Sequence, residues 1–511
     1  MKLRHLALLG TLIVFAGVAL LGACTSLPPL QREESAALLD TAGTRLGRAI
    51  APRAAAHPRL AGVYALPDPV DAFAARMLLA DAADVSLDIQ YYIWNADTTG
   101  ILLFDALYRA AQRGVRVRLL LDDNNTPGLD DTLARLDGHP RIEVRLFNPF
   151  VVRWPRWIGY VTDFARINRR MHNKSFTADS QATVIGGRNI GDEYFAAADG
   201  VLFADLDVLA VGPVVRDVSE DFDHYWNSAS AYPVHLLLEV PSGTGKPAPL
   251  AVRNPATAAY LAAVRKTAFV TELLGGTLAF EWAPTRMVSD DPAKGLGQAA
   301  PEATLMYQLT QAVGEPQAEL DLVSPYFVPT ASGVEAFNEL AQRGVQIRIL
   351  INSLEATDVD LVHAGYVRRR EPLLRGGVTL FESKLQAPVT SSSRRVGPFG
   401  SSASSLHAKT FAVDRRRIFI GSFNFDPRSA NLNTELGFVI DSPVLAWHMA
   451  ELFETRVPEI AYQPRLSADG ELFWIEQSHD EAVRYETEPR TTFWQRAFVW
   501  FASLLPIEWL L

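Results

Sequence analysis

Met171-His172-Asn173-Lys174 opens a pattern that runs through Asp179 to Gly186-Gly187-Arg188-Asn189. Leu406-His407-Ala408-Lys409 opens it again, through Asp414 to Gly421-Ser422-Phe423-Asn424. Both read His-x-Lys, four residues, Asp, six residues, Gly-small-x-Asn. Two copies with the same internal spacing mark an internal duplication. Residues two apart in an extended strand share a face, so His172 projects with Lys174 and His407 with Lys409. Each pair leads into strand, polar turn and strand: 175–178 and 182–185 in the first copy, 410–413 and 418–420 in the second. Asp179 and Asp414 are expected to open the turns. Asn189 and Asn424 are expected at the ends of the returning strands, beside the His-Lys pairs.

These residue types suit one chemistry. A histidine can attack phosphorus, a lysine can hold a phosphate oxygen, and an asparagine can donate a further hydrogen bond. Two halves supply two histidines, one to attack and one to protonate the leaving oxygen. No metal or other cofactor is expected, because lysines and amides can carry the anionic charge.

The doubled signature resembles that of the phospholipase D superfamily, across residues 60–460. Leu87–Trp94 (LDIQYYIW) and Leu119–Pro127 (LLLDDNNTP) are similar, more narrowly, to the C-type branch of bacterial cardiolipin synthases. The resemblance implies an α/β fold of two pseudo-symmetric halves. Each would be a mixed sheet flanked by helices, with the active site at their interface. It implies His172, Lys174, Asp179, His407, Lys409 and Asp414 as the catalytic set, with Asn189 and Asn424 binding the substrate phosphate. His172 is the expected nucleophile. Asp179 and Asp414 belong to the signature but are expected to serve structure rather than carry protons. The implied reaction passes a phosphatidyl group through a phosphohistidine to phosphatidylglycerol, giving cardiolipin. The donor would be phosphatidylethanolamine or a second phosphatidylglycerol. Hydrolysis to phosphatidic acid uses the same motif and stands as the alternative, with nuclease activity behind it.

Working outward, each motif follows a strand–helix–strand unit that implies parallel strands. In the first half these are 86–94, 100–113 and 115–121; in the second, 320–325, 333–343 and 345–352. Ala111-Gln112-Arg113-Gly114-Val115 recurs as Ala341-Gln342-Arg343-Gly344-Val345, 230 residues later, while the His-Lys motifs are 235 apart. The repeated Arg-Gly reads as helix termination. Beyond the motifs, Asp205 precedes Gly212-Pro213-Val214 as Glu435 precedes Ser442-Pro443-Val444. The resemblance implies that acids in this region orient the catalytic histidines; two unrelated strand-end acids is the other reading.

The 511 residues carry a net charge of −10 with 48% hydrophobic content, which disfavours a dedicated nucleic-acid binder. The single cysteine, Cys24, excludes an intramolecular disulfide framework. Residues 1–23 hold Lys2 and Arg4, then an apolar run from Leu6 to Leu21, and end Leu21-Gly22-Ala23 before Cys24. That pattern resembles a signal peptide with a lipobox, cleaved before a lipidated Cys24; an uncleaved anchor is the alternative. Cleavage takes the net charge to −12 by removing Lys2 and Arg4. Either reading ties the protein to a membrane of a bacterial envelope, facing the periplasm. The expected plan is a signal peptide at 1–23, a lipidated tether at 24–60, the first half at 61–240, a crossover at 241–300, the second half at 301–465, and an amphipathic tail at 466–511.

Three segments leave two readings each. Phe147–Arg170 interleaves aromatic residues with Arg153, Arg156, Arg166, Arg169 and Arg170, as a lipid interface holding anionic head groups or as a core helix with a basic rim. Gln386–Ser405 is a mobile loop at the mouth of the site or a plain insertion. The Trp- and Phe-rich end, Thr492–Leu511, is a membrane-interface helix or packs on the catalytic body. The expected partners are membrane phospholipids.

Overall fold

A computed structural model describes residues 26–197, 202–239, 255–385, 404–478 and 481–511. The signal peptide, Cys24, most of the Gln386–Ser405 segment and the start of the crossover lie outside the described residues.

Each half begins its parallel unit with a capped helix and a buried strand. Pro69–Ala82 starts at Asp68, whose carboxylate accepts from the Val70 and Asp71 amides. Thr98–Gln112 starts at Asp97, which accepts from Gly100 N. Thr98–Gln112 and Thr330–Gln342 both stop at Arg-Gly, where Gly114 and Gly344 take φ of +99° and +91°. A glycine at positive φ ends a helix without steric cost, so the repeated Arg-Gly is helix termination, as expected.

The strands build two mixed sheets that share one order over eight strands, from Ala61–Leu66 to Ala231–Pro233 in the first and from Thr285–Ser289 to Ala461–Leu466 in the second. In the first the order is Glu281–Ala283, Ala61–Leu66, Asp207–Val211, Ala182–Gly186, Ser175–Ala178, Ser86–Ile93, Arg116–Asn125, Ile142–Phe147 and Ala231–Pro233. In the second it runs Thr285–Ser289, Leu436–Asp441, Arg417–Gly421, Thr410–Val413, Glu319–Val323, Gln346–Asn352, Thr379–Ser383 and Ala461–Leu466, then Leu472–Ser478 and Glu481–Tyr485. Ser86–Ile93, Arg116–Asn125 and Ile142–Phe147 are parallel, and so are their counterparts; the motif hairpins pair antiparallel beside them. The duplication reaches side chains. Arg118 pairs with Asp88 at 2.7 Å and lies over Phe222, while Arg348 pairs with Asp321 at 2.6 Å and lies over Phe453.

One face of each sheet packs under its own helices. The other faces meet in a shared core in which Ile185 and Val208 join Ile418, Phe438 and Met449. Each fully buried side chain of this kind contributes about 1.5–3 kcal/mol, so apolar burial holds the halves together. The crossover is built into that seam: Glu281–Ala283 edges the first sheet and Thr285–Ser289 the second.

Both ends of the chain differ from the expected plan. Residues 26–44 do not stand off as a tether. Arg32 donates to Ser228 O, Thr41 hydroxyl to Asp179 O, and the Ala37 amide to Asp223. Extended backbone with few apolar residues left no sequence signal for this docking. Beyond residue 466, Leu472–Ser478 and Glu481–Tyr485 extend the second sheet before the helix Phe493–Ser503 begins.

Candidate active site

The motifs sit at the carboxyl ends of the parallel strands, the end of such sheets where ligands bind. Backbone bonds between the halves fix them there. His172 N donates to Thr434 O at 2.8 Å, and His407 N donates to Ala204 O at 2.7 Å. Met171 bridges Thr434, and Ser404–Leu406 pairs in parallel with Leu202–Ala204. Asp122 Oδ2 accepts from Met171 N at 2.8 Å. Asn352, 230 residues on, bonds both the amide and the carbonyl of Leu406. Asp122 and Asn352 were not read as site residues from sequence. Each ends an apolar strand of a repeated unit, and aligning the two units marks them.

Each histidine is held by an acid of the opposite half. His172 Nδ1 lies 2.8 Å from Glu435 Oε2, and His407 Nδ1 lies 2.5 Å from Asp205 Oδ2. A carboxylate accepts, so it selects the Nδ1–H tautomer and leaves Nε2 with its lone pair. Ser422 Oγ donates to the same Glu435 oxygen at 2.5 Å, while Asp205 Oδ1 accepts from Leu206 N at 2.8 Å. Gly187 stands where Ser422 stands in the repeat. A Cβ there would come within 2.1 Å of Asp205 Oδ1, so only glycine lets that carboxylate reach His407. Aromatic rings hold the imidazoles from the side: Tyr92 against His172 at 4.9 Å, Tyr194 and Phe203 against His407 at 5.3 and 5.1 Å.

Lys174 and Lys409 are buried with their histidines, and each ammonium donates to its own histidine's carbonyl at 2.5 Å. Asn189 is engaged at both ends, accepting from Ile93 N at 3.2 Å and donating to Tyr194 hydroxyl at 3.0 Å. Asn424 Oδ1 is buried with no hydrogen-bond partner among the described residues.

Asp179 and Asp414, members of the signature expected to serve structure, lie apart from the histidines and lysines. Asp179 accepts from the amides of Asp84, Val85 and Ser86, and Asp414 from those of Gln317, Ala318 and Glu319. These amides begin strands whose other ends carry the site, so each aspartate is a strand's length away. The turns they open put Asp179 and Asp414 at φ of +51° and +53°, a region short polar side chains tolerate.

Four bases share a closed space. Burial, then Lys174, Lys409 and His407, holds His172 well below the ordinary histidine range. Burial and Lys409 also lower His407, against the pull of Asp205. Burial brings Lys409 down to about 8, and burial with Lys409 holds Lys174 well below an ordinary lysine. The acids diverge. Burial pushes Glu435 up to about 7. Burial works the same way on Asp205, but Lys409 and His407 outweigh it and hold that carboxyl below its usual value. A phosphodiester placed among these bases relieves their repulsion and restores charge to the lysines. Among the described residues, no three or more His, Cys, Asp or Glu are grouped to hold a metal ion.

The arginines of 147–170 are engaged inside the protein. Arg153 and Arg156 pair with Asp123 and Asp130, Arg166 with Asp163, and Arg170 with Asp122. The aromatic residues between them face out, with Trp154 86% exposed. The C-terminal helix combines its two readings: Val499 and Ala502 pack against Leu354 and Ala364, while Trp494 and Trp500 stand exposed.

Comparison with known proteins agrees with this geometry. The family described as "Cardiolipin synthase, PLD-like domain" matches residues 78–226 and again 309–457. Cardiolipin synthase C of Escherichia coli is 51% identical over 91% of this chain and all of its own length. Cardiolipin synthase B of the same organism is 26% identical over 69% of this chain and 70% of its own. Among solved structures, the phosphatidylserine synthase of Haemophilus influenzae superposes with a TM-score of 0.56 at 13% identity. It covers 91% of this chain and all of its own, and it shows the two-half fold alone.

Proposed function

Because this chain belongs to the family of cardiolipin synthases with phospholipase D-like domains, phosphatidyltransferases of the phospholipase D superfamily, we propose that it makes cardiolipin by exchange of phosphodiesters at the two-histidine site. The substrates are membrane phospholipids. His172 Nε2 attacks the phosphorus of a donor, phosphatidylethanolamine or phosphatidylglycerol. The bond to the head-group oxygen breaks, and His407 Nε2 supplies that oxygen with a proton. The phosphatidyl group is then carried on His172. A hydroxyl of phosphatidylglycerol gives its proton to His407 and attacks the phosphorus; the P–N bond breaks and cardiolipin leaves. Lys174, Lys409, Asn189 and Asn424 hold the non-bridging oxygens, and Asn189 also bonds Tyr194 beside His407.

One observation supports the proposal above the others: each imidazole is held at Nδ1 by a carboxylate from the other half, which leaves the two Nε2 atoms for complementary proton and phosphoryl work, that of His407 with Lys409 Nζ 3.1 Å away. The electrostatic asymmetry supports the division of labour. His172, held furthest toward the neutral form, suits a nucleophile; His407, beside an ionised Asp205, better tolerates the imidazolium an acid needs. Attachment to a bacterial envelope membrane through a lipidated Cys24, after removal of residues 1–23, belongs to the same proposal and rests on the sequence around Cys24.

The test presents purified protein with phosphatidylglycerol vesicles, with and without phosphatidylethanolamine, and reads the lipids by mass spectrometry. Cardiolipin with little phosphatidic acid is expected, and its dependence on phosphatidylethanolamine names the donor. Phosphatidic acid without cardiolipin overturns the transferase in favour of hydrolysis.

A further inference from the structure

We propose that the exposed aromatic residues of 154–164 and 493–509, one segment from the first half and one from the C-terminal tail, form a single surface that seats the enzyme on a bilayer and turns the mouth of the site toward its lipid. The inference rests on the phospholipid chemistry proposed above.

Two observations join the segments. Arg428 donates to Leu510 O at 3.0 Å and to Asn168 O at 3.1 Å, while its own amide donates to Leu511 O at 2.8 Å. Asn168 lies four residues before His172, and Arg428 four residues after Asn424, so the clamp spans the two motifs. Phe164, four residues before Asn168, and Trp509, next to Leu510, are both exposed. Tyr160 hydroxyl also bonds Asn124 Oδ1 at 2.6 Å, two residues from the Asp122 that anchors Met171. The aromatic surface is thus continuous with the walls of the site.

The occupant follows from what the surface presents. Trp154, Trp157, Trp494, Trp500 and Trp509, half of the chain's ten tryptophans, are exposed on it. Tryptophan favours the boundary between head groups and acyl chains. The helix Phe493–Ser503 has 11 residues, about 16 Å long at 1.5 Å per residue, and none of the described helices is long and apolar enough to cross a membrane. It lies along a surface instead, fixed from behind by Val499, Ala502 and the Arg369–Glu508 ion pair at 2.7 Å. The arginines of 153–170 that carry charge partners are spent on Asp122, Asp123, Asp130 and Asp163, while Arg169, Arg428 and Arg496 donate to backbone carbonyls. Binding is therefore led by aromatic insertion and depends little on anionic lipid or salt, unlike a basic patch.

Hydrogen–deuterium exchange of the full chain with and without phosphatidylcholine vesicles tests this directly. Residues 157–162 and 493–503 are expected to gain protection together, to a similar extent when phosphatidylglycerol is added or salt is raised. The double variant Trp494→Asp, Trp500→Asp is expected to lose about tenfold or more of its transfer on vesicles and to keep its transfer on monomeric short-chain phosphatidylglycerol. Protection of neither segment overturns the surface, as does protection that appears only with anionic lipid and vanishes in salt. Protection of both with no transfer by the wild type retains the surface and removes the chemical reading instead.

Discussion

Glu435→Gln keeps the shape of the side chain but exchanges the carboxylate for an amide, so the Nδ1–H of His172 loses the charge that fixes its tautomer. Asp205→Asn does the same to His407. Either change is expected to lower kcat about 10²- to 10⁴-fold, approaching the loss in His172→Ala or His407→Ala. The two differ with pH. Asp205 stays ionised through the working range, so its variant is slow throughout. Glu435 titrates near 7 and is already neutral below that, so the glutamine costs most above pH 7 and least below it. Parallel pH profiles for the two variants would contradict this. A second limb comes from Lys409. Its ammonium is the form that holds phosphate, and with a value of about 8 the charge is lost as pH rises through 8. kcat/KM is therefore expected to fall above pH 8 in the free enzyme, and a profile flat to pH 10 would exclude Lys409 from charge stabilisation. His172, Lys174, His407 and Lys409 were legible in the sequence because their spacing repeats. The acids were legible only as a matched pair: the crossing of Asp205 to His407 and Glu435 to His172 depends on how the halves face one another, which spacing within either half does not encode.

At the level of elements, the repeated aspartates tie a repeated spacing to the fold. Asp179 and Asp414 each gather three successive backbone amides at the start of a parallel strand and hold a turn at positive φ. Asp179 is fully buried and Asp414 half-buried. Alanine at either position strands these amides and strains the turn, costing about 2–4 kcal/mol, with the larger loss at Asp179. Thermal or urea unfolding measures this, and phosphatidyl transfer per folded molecule should survive. Loss of transfer with unchanged stability would return the aspartates to the chemistry. Strand–helix–strand units were readable because their apolar periods and Arg-Gly stops are local. The docking of residues 26–44 was not, since Arg32 and Thr41 bind backbone carbonyls, which any sequence provides. The added strands Leu472–Ser478 (LFWIEQS) and Glu481–Tyr485 were not legible, because neither alternates apolar and polar residues over its length.

Across the whole molecule, the two halves meet over a seam that joins apolar packing to trapped acid. Val214–Trp226 of the first half packs on Thr285–Ser289, and Asp221, Asp290 and Glu435 lie along this contact. Burial pushes Asp221 up to about 7, Asp290 to about 6 and Glu435 to about 7. Asp221 Oδ2 is sealed from solvent with no hydrogen-bond partner among the described residues, whereas Asp290 takes Lys294 at 2.9 Å. The sign follows from proton binding. A carboxyl raised in the folded state binds more protons there than in the unfolded chain, so its stabilisation is complete below about pH 4 and is lost as pH rises from there through 6 to 7. Each such group changes stability by up to about 1.4 kcal/mol per pH unit within that window. His172 and His407, lowered in the folded state, act in the opposite sense, contributing stability that grows as pH rises toward the ordinary histidine value. Above pH 6.5, where free imidazole is already neutral, the acids are opposed by Lys174 and Lys409, whose lowered values in the folded state add stability as pH rises toward the ordinary lysine range. Asp221, raised to about 7, adds a falling component to the unfolding midpoint between pH 6.5 and 8. Asp221→Asn, which supplies a neutral side chain of the same shape, should flatten that slope and raise the midpoint at pH 8 while leaving transfer intact. An unchanged slope in the variant would place the burden on Glu435 and Asp290, and the slope of stability would then track the same ionisation that orients His172.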